Sequence, residues 1–273
     1  MIEIRVIQPN EKIRIDPLDD AFSYGMAFFE SMKIYKGRLY YWDKHWERIS
    51  GSALELFGCN LSLNDKDKVL KSISDFHRIN LSTDYILKLS LTYSNRKPLI
   101  YIYKRSNFKK PESVSLCLNF DYLINENSLI KGYKTHNYFE NILLKKHAER
   151  KGFYDYIRLN TKGYLCETSS ANCFFISGEN IITPSVASGL LSGIIRQTIL
   201  DEFNIQCKAL KEDDIKSIDS AFITNISFPI MPVSSISGFS NKTKLNLNVK
   251  NPLIEEIKYS LKKIALSKSI NFN

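Results

Sequence analysis

Residues 131–140 read GYKTHNYFEN, and the reading of Lys134 in that stretch decides what kind of molecule this is. Behind it, ILLKKHAERKGF (142–153) carries apolar residues at helical spacing, so Lys134 is expected at the mouth of a helix. It is either one more solvated lysine or the residue that does the chemistry, and the stretch alone does not choose. Three distant segments bear on it. DKHWERISGSALELFG (43–58) places Arg48 on a helix that ends in small residues. GYLCETSSANCFFIS (163–177) puts Glu167 at a strand end before a Ser/Thr-rich turn. TPSVASGLLSGIIRQTIL (183–200) is a small-residue loop entering a helix N-terminus.

Outward from these segments the pattern is mixed. MIEIRVI and FFESMKIYKGRLYYW alternate in period two, the latter a hairpin turning at Lys36-Gly37. Asp43 is expected to cap the next helix and Gly58 to stop it; Asn64 or Asp65 is expected to cap a second, over LNDKDKVLKSISDFHRI. DYILKLSLTYS, PLIYIYKR, SVSLCLNF, YDYIRLN, YLCET, ANCFFIS, NIITP, IQCKAL, SAFITNI and IMPVSSI read as strands, DYLINENSLIKGYK as a connection, and PLIEEIKYSLKKIALSK as a closing helix. The expected class is α+β with two domains and a site between them: a small N-terminal domain over 1–120, a connection over 121–133, and a larger domain over 134–273.

Composition narrows the function. A hydrophobic content of 44% with 25% charged residues suits a globular core, and no apolar run is long enough to span a membrane. The charged N-terminus does not read as a signal peptide, which points to the cytoplasm. The net charge of +9 is spread in short pairs interleaved with acids and lacks a nucleic-acid-binding signature, so its expected use is to attract small anions. Cys59, Cys117, Cys166, Cys173 and Cys207 form no C-x-x-C pair and are expected reduced and buried. No metal-ligand spacing appears, and His45 and His136 are read as structural.

The four segments are the parts that a pyridoxal phosphate enzyme needs. A lysine amine bonds to the cofactor and moves protons; a carboxylate keeps the pyridine nitrogen protonated. A helix N-terminus and an arginine receive the phosphate. Through residues 28–53, 134–175 and 183–200 the chain resembles the class IV aminotransferases, fold-type IV enzymes of the D-amino acid aminotransferase-like kind, over essentially its whole length. The resemblance implies Lys134 as the cofactor lysine, Glu167 as partner of the ring nitrogen, Arg48 on the phosphate, and Ile194 and Ile195 as backbone donors to it. It also implies Tyr138 at the ring hydroxyl, on the helical face of Lys134, and a homodimer.

Within that family SAFITNISFPIMPVSSISG (220–238) is the discriminating stretch. Many transaminases of the class have a glycine–threonine pair where this chain has Asn225 and Ile226, so the phosphate hydroxyl is absent there and Asn225 or Ser227 is the expected substitute. The pattern resembles aminodeoxychorismate lyases, which eliminate pyruvate from 4-amino-4-deoxychorismate to give 4-aminobenzoate for folate synthesis. The alternative is a transaminase of branched-chain or D-amino acids. Phe29 stands where D-amino acid aminotransferases have a hydroxylated aromatic, and Arg96 replaces an Arg-Gly-rich run; both are candidate substrate-binding residues. Keeping lysine, glutamate and arginine together argues against a cofactor-binding protein without turnover.

Overall fold

The structure, a computed structural model, describes residues 2–80, 84–94, 97–105 and 111–272. Its class is α+β, and contacts divide the chain into two units that are discontinuous in sequence. Residues 1–108, 133–137 and 264–273 form the first; 109–132 and 138–263 form the second, unlike the linear division drawn from the sequence.

The first unit is built on a six-stranded sheet in the order Glu3–Ile7, Lys97–Arg105, Asp84–Ser94, Ala27–Tyr35, Arg38–Tyr40 and Ser269–Asn271. Its first pair is parallel and the others antiparallel. Lys36 (φ 50°) and Gly37 (φ 69°) make the expected hairpin turn, whose two positive φ values match the twist of the strands. Strand alternation sends Met32, Ile34, Leu87, Leu89, Leu91, Ile100 and Ile102 into one core with Trp42, Trp46, Ile49, Val69, Ile73 and Phe76 from two helices. The opposite face carries Phe29, Lys88 and Ser90 on paired strands, and these too are buried.

Both helix starts differ from expectation. Helix Trp42–Phe57 begins without a side-chain cap, after Tyr41 in left-handed backbone; burial of Tyr41 and Trp42 fixes the entry. Asp43 instead bonds Lys66 Nζ at 2.6 Å. Helix Leu63–Ile79 is capped by Ser62, which accepts from Asp65 N–H while the Asp65 carboxylate accepts from Ser62 N–H. That reciprocal box satisfies two otherwise unpaired donors, more than Asn64 or Asp65 as cap would.

The second unit has a sheet ordered Gln206–Lys208, Asn180–Pro184, Asn172–Ser177, Ser220–Thr224, Met231–Ser237, Val114–Ile124 and Asp155–Asn160, with Leu245–Asn246 beside Met231–Ser237. Residues 121–124, read as connection, extend strand Val114–Ile124 past a register shift. YLCET forms only the isolated bridges Leu159↔Leu165 and Glu167↔Asn172 rather than a strand.

Candidate active site

Lys134 is not on a helix. Helix Phe139–Arg150 starts later, and residues 134–136 are laid along strand Ala27–Tyr35. Phe29 N–H donates to Lys134 C=O at 2.9 Å and His136 N–H to Ala27 C=O at 2.8 Å, with Thr135 opposite Phe28. Within strand Ala27–Tyr35, Arg38–Tyr40 pairs with Ile34 and Tyr35, and the lysine segment continues that edge at Ala27–Phe29. The helical-face argument linking Tyr138 to Lys134 therefore falls. Alternation of an extended segment replaces it and puts Lys134 and His136 on the Phe29 side. Lys134 Nζ sits 4.3 Å from the Phe29 ring centroid and Lys88 Nζ 3.7 Å from it. His136 meets that ring edge-on and shares a 3.2 Å hydrogen bond with Ser90 Oγ. Burial, then the Lys88 charge, lowers the His136 pKa.

Arg48 is held from the other side of strand Ala27–Tyr35. Its Nε donates to Glu30 Oε1 at 2.7 Å and its Nη2 to Oε2 at 2.6 Å, a paired arrangement that fixes the guanidinium plane. His45 Nδ1 joins Oε2 at 2.7 Å. Burial acts to raise the Glu30 pKa, but Arg48 and His45 outweigh it and hold the carboxyl at about 2. Burial lowers the His45 pKa against the pull of Glu30, so the imidazole is the neutral tautomer donating from Nδ1. Its Nε2 has no hydrogen-bond partner among the described residues.

In the second unit Glu167 is aimed by its neighbours. Oε1 accepts Leu191 N–H at 3.1 Å, and Oε2 accepts Asn172 Nδ2, which also donates to Leu191 C=O. Gly193, at the N-cap of helix Ile194–Glu202, has ordinary φ; its need for glycine is space, because a Cβ there would overlap Asn172 Oδ1. No side chain caps this helix, whose first two residues, Ile194 and Ile195, are buried. Thr224 pairs with Asn172 across the sheet, and its buried hydroxyl lacks a partner among the described residues. Asn225 shapes the next turn: Oδ1 accepts from Ser227 and Phe228 N–H, and Nδ2 donates to Ser170 C=O. Tyr138 OH donates to Ser169 C=O at 3.0 Å, and Ser169 Oγ donates to buried Asp155 at 2.8 Å.

The structure thus brings Phe29 to Lys134, and Arg48 to an unexpected Glu30. Arg96 lies outside the described residues. The sequence reading missed Glu30, Lys88, Asn172 and Thr224; the strand alternation that places Lys88 beside Phe29 was visible, but the register was not. Cys207 is exposed and Cys117 half-buried, correcting the expectation of buried cysteines, and no cysteine is in a disulfide. Among the described residues no group of side chains could hold a metal ion, and no helix is long and apolar enough to cross a membrane.

An amine over an aromatic ring, a carboxylate held by the Leu191 N–H and Asn172 amide donors, a helix N-terminus without a side-chain cap and a buried hydroxyl with no partner among the described residues are each of a kind that fits a group of pyridoxal phosphate. Residues 27–236 match the amino-transferase class IV family model. The chain belongs to the class IV aminotransferases. It is 25% identical over 250 residues to an aminodeoxychorismate lyase of Vibrio harveyi, covering 83% of this chain and 89% of the relative. It is 26% identical over 276 residues to a D-alanine aminotransferase of Bacillus licheniformis, covering 93% of each. A Legionella pneumophila crystal structure, provisionally named a 4-amino-4-deoxychorismate lyase, superposes with a TM-score of 0.84 at 23% identity, over 96% of this chain and 99% of that one. The fold is accordingly fold-type IV, the protein is an enzyme, and its cofactor is pyridoxal 5′-phosphate.

Proposed function

We propose that this class IV enzyme is an aminodeoxychorismate lyase that releases pyruvate from 4-amino-4-deoxychorismate and leaves 4-aminobenzoate, for folate synthesis in the cytoplasm. The observation that carries the reading is the turn after strand Ser220–Thr224, where Asn225 ties its own loop to Ser170 in place of a glycine–threonine pair. Lys134 holds the cofactor and takes the proton from the substrate carbon next to the amine. Glu167 keeps the ring nitrogen protonated. Arg48, oriented by Glu30, and the N–H groups of Ile194 and Ile195 bind the phosphate, with Asn225 and Ser227 at the neighbouring turn. Tyr138 would serve the ring hydroxyl, Phe29 would line the substrate, and Arg96 is assigned to the substrate from the sequence alone. The bound cofactor supplies an electron sink for the proton loss, and elimination of pyruvate is driven by aromatisation of the ring that remains.

A homodimer belongs to the same proposal. Its support is the exposed apolar stripe of Phe139, Ile142 and Leu143 on helix Phe139–Arg150. The likeness to a D-alanine aminotransferase over nearly the whole chain keeps a transaminase as the second reading. The deciding experiment is pyruvate release from 4-amino-4-deoxychorismate with pyridoxal phosphate and no keto-acid acceptor. Release that vanishes in Lys134→Ala is expected. Cofactor-loaded protein that releases none, yet exchanges amino groups between amino and keto acids, is a transaminase.

A further inference from the structure

Thr224 ends strand Ser220–Thr224, directly opposite Asn172, the first residue of the antiparallel strand Asn172–Ser177. Paired residues of antiparallel strands share a face, with Cβ atoms about 4.5–5.5 Å apart. Alternation gives the same face Phe222 and Phe174, whose rings stack at 4.8 Å. Ala221, Ile223, Cys173 and Phe175 belong to the other face, in the second unit's core. On the Thr224 face, Asn172 sets the local frame. Its Oδ1 fills the space that a Cβ on Gly193 would need, and its Nδ2 donates to Leu191 C=O at 2.8 Å. The Thr224 side chain therefore stands beside the residue that seats the loop into helix Ile194–Glu202.

Thr224 is only 2% exposed, and its Oγ1 is the one buried hydroxyl without a partner among the described residues. Other buried hydroxyls of the unit are used: Thr183 donates to Cys173 C=O at 2.7 Å and Thr168 to Ala171 C=O at 3.2 Å. A buried hydroxyl gives up its water and regains nothing until a partner arrives. Beside a helix start with no side-chain cap that partner is an anion, because the N–H groups and the dipole there favour negative charge. The neighbouring candidates are weaker. Asn225 Oδ1 accepts from Ser227 and Phe228 N–H, and its Nδ2 donates to Ser170 C=O. Ile226 has no polar side-chain atom, and Ser227 is less buried than Thr224.

We propose that the Thr224 hydroxyl donates to the phosphate of pyridoxal 5′-phosphate and supplies the hydrogen bond that Ile226 lacks. The assignment deepens the proposed site: it rests on the phosphate lying at Ile194 and Ile195, and not on which reaction follows. The desolvated hydroxyl is a donor formed in advance, whose cost is carried by the cofactor-free protein and relieved on binding.

The test compares dissociation constants of pyridoxal phosphate and of pyridoxal, which lacks the phosphate, for the full-length cofactor-free protein. Wild type, Thr224→Val, Thr224→Ser, Ser227→Ala and Ile194→Pro are measured, with thermal unfolding of each cofactor-free form. Thr224→Val should weaken pyridoxal phosphate about tenfold or more, as for a lost hydrogen bond to a charged group, and leave pyridoxal unchanged. Thr224→Ser should restore the affinity. Cofactor-free Thr224→Val should melt no lower than wild type, because it buries a methyl group in place of an unsatisfied hydroxyl. Equal loss of both ligands, a lower melting point, or loss in Ser227→Ala instead of Thr224→Val would each overturn the assignment. Ile194→Pro removes one N–H at the first helical position, where proline fits, and so tests the helix separately. Phosphate-dependent loss in Ile194→Pro but not in Thr224→Val refutes the hydroxyl's role alone. The reverse pattern keeps the hydroxyl and refutes the helix as the seat of the phosphate.

Discussion

Glu30 shows how one buried carboxylate on a strand orients two side chains of the neighbouring helix, His45 and Arg48. It accepts from Nε and Nη2 of Arg48, and it fixes the His45 tautomer. Its pKa falls from 4.5 to about 2 on folding, so between those values the unfolded chain binds more protons than the folded one. The stabilisation is therefore complete above pH 4.5 and is lost as pH falls through about 2. Its size is on the order of 3 kcal/mol. Glu30→Gln should lose stability by that order at pH 7 in urea unfolding, with the gap to wild type narrowing steadily below pH 4.5. A gap that stays constant down to about pH 2, the low end of that range, would mean that shape rather than charge matters at this position. The sequence contained Glu30 in plain view as a strand residue. Nothing in its spacing to Arg48 showed that a strand and a helix would meet there.

At the scale of elements, two glycines on helices separate conformational freedom from close packing. Gly193 precedes helix Ile194–Glu202 with φ −70°, which any residue adopts, yet a Cβ would overlap Asn172 Oδ1. Gly51, inside helix Trp42–Phe57, has nothing within 4 Å of a built Cβ. Gly51→Ala should stabilise the protein by about 0.5–1 kcal/mol, the helix propensity difference. Gly193→Ala should cost about 1–3 kcal/mol by overpacking. It should also weaken pyridoxal phosphate binding, because the displaced Asn172 amide holds Glu167 Oε2 and Leu191 C=O. Thermal unfolding and cofactor titration of the pair check both signs; equal effects of the two substitutions would refute the packing argument. The loop into this helix was legible because small residues before a periodic apolar run mark an N-terminus. The Lys134 segment was not, since helical spacing downstream concealed that the lysine completes a sheet edge.

For the whole molecule, local signals carried the strands well: Asp84–Ser94 matches its sequence reading end to end, because branched and aromatic residues dominate it. What they did not carry was sequence-distant pairing. Strand Ser269–Asn271 closes the first unit's sheet against Arg38–Tyr40, more than 200 residues earlier, and its three residues hold no periodic pattern to detect. Ile270 and Phe272 pack on the first core, Phe272 N–H donates to Gly37 C=O at 3.0 Å, and its ring meets His77. Ending the chain after Lys268 should therefore remove about 1–3 kcal/mol of apolar burial from the first unit. Amide exchange locates the loss: protection should fall along Ala27–Tyr35, Arg38–Tyr40 and Leu63–Ile79 while Asn172–Ser177 and Ser220–Thr224 keep theirs. Equal loss in both sets would show instead that the two units unfold as one and that the C-terminal strand stabilises them jointly.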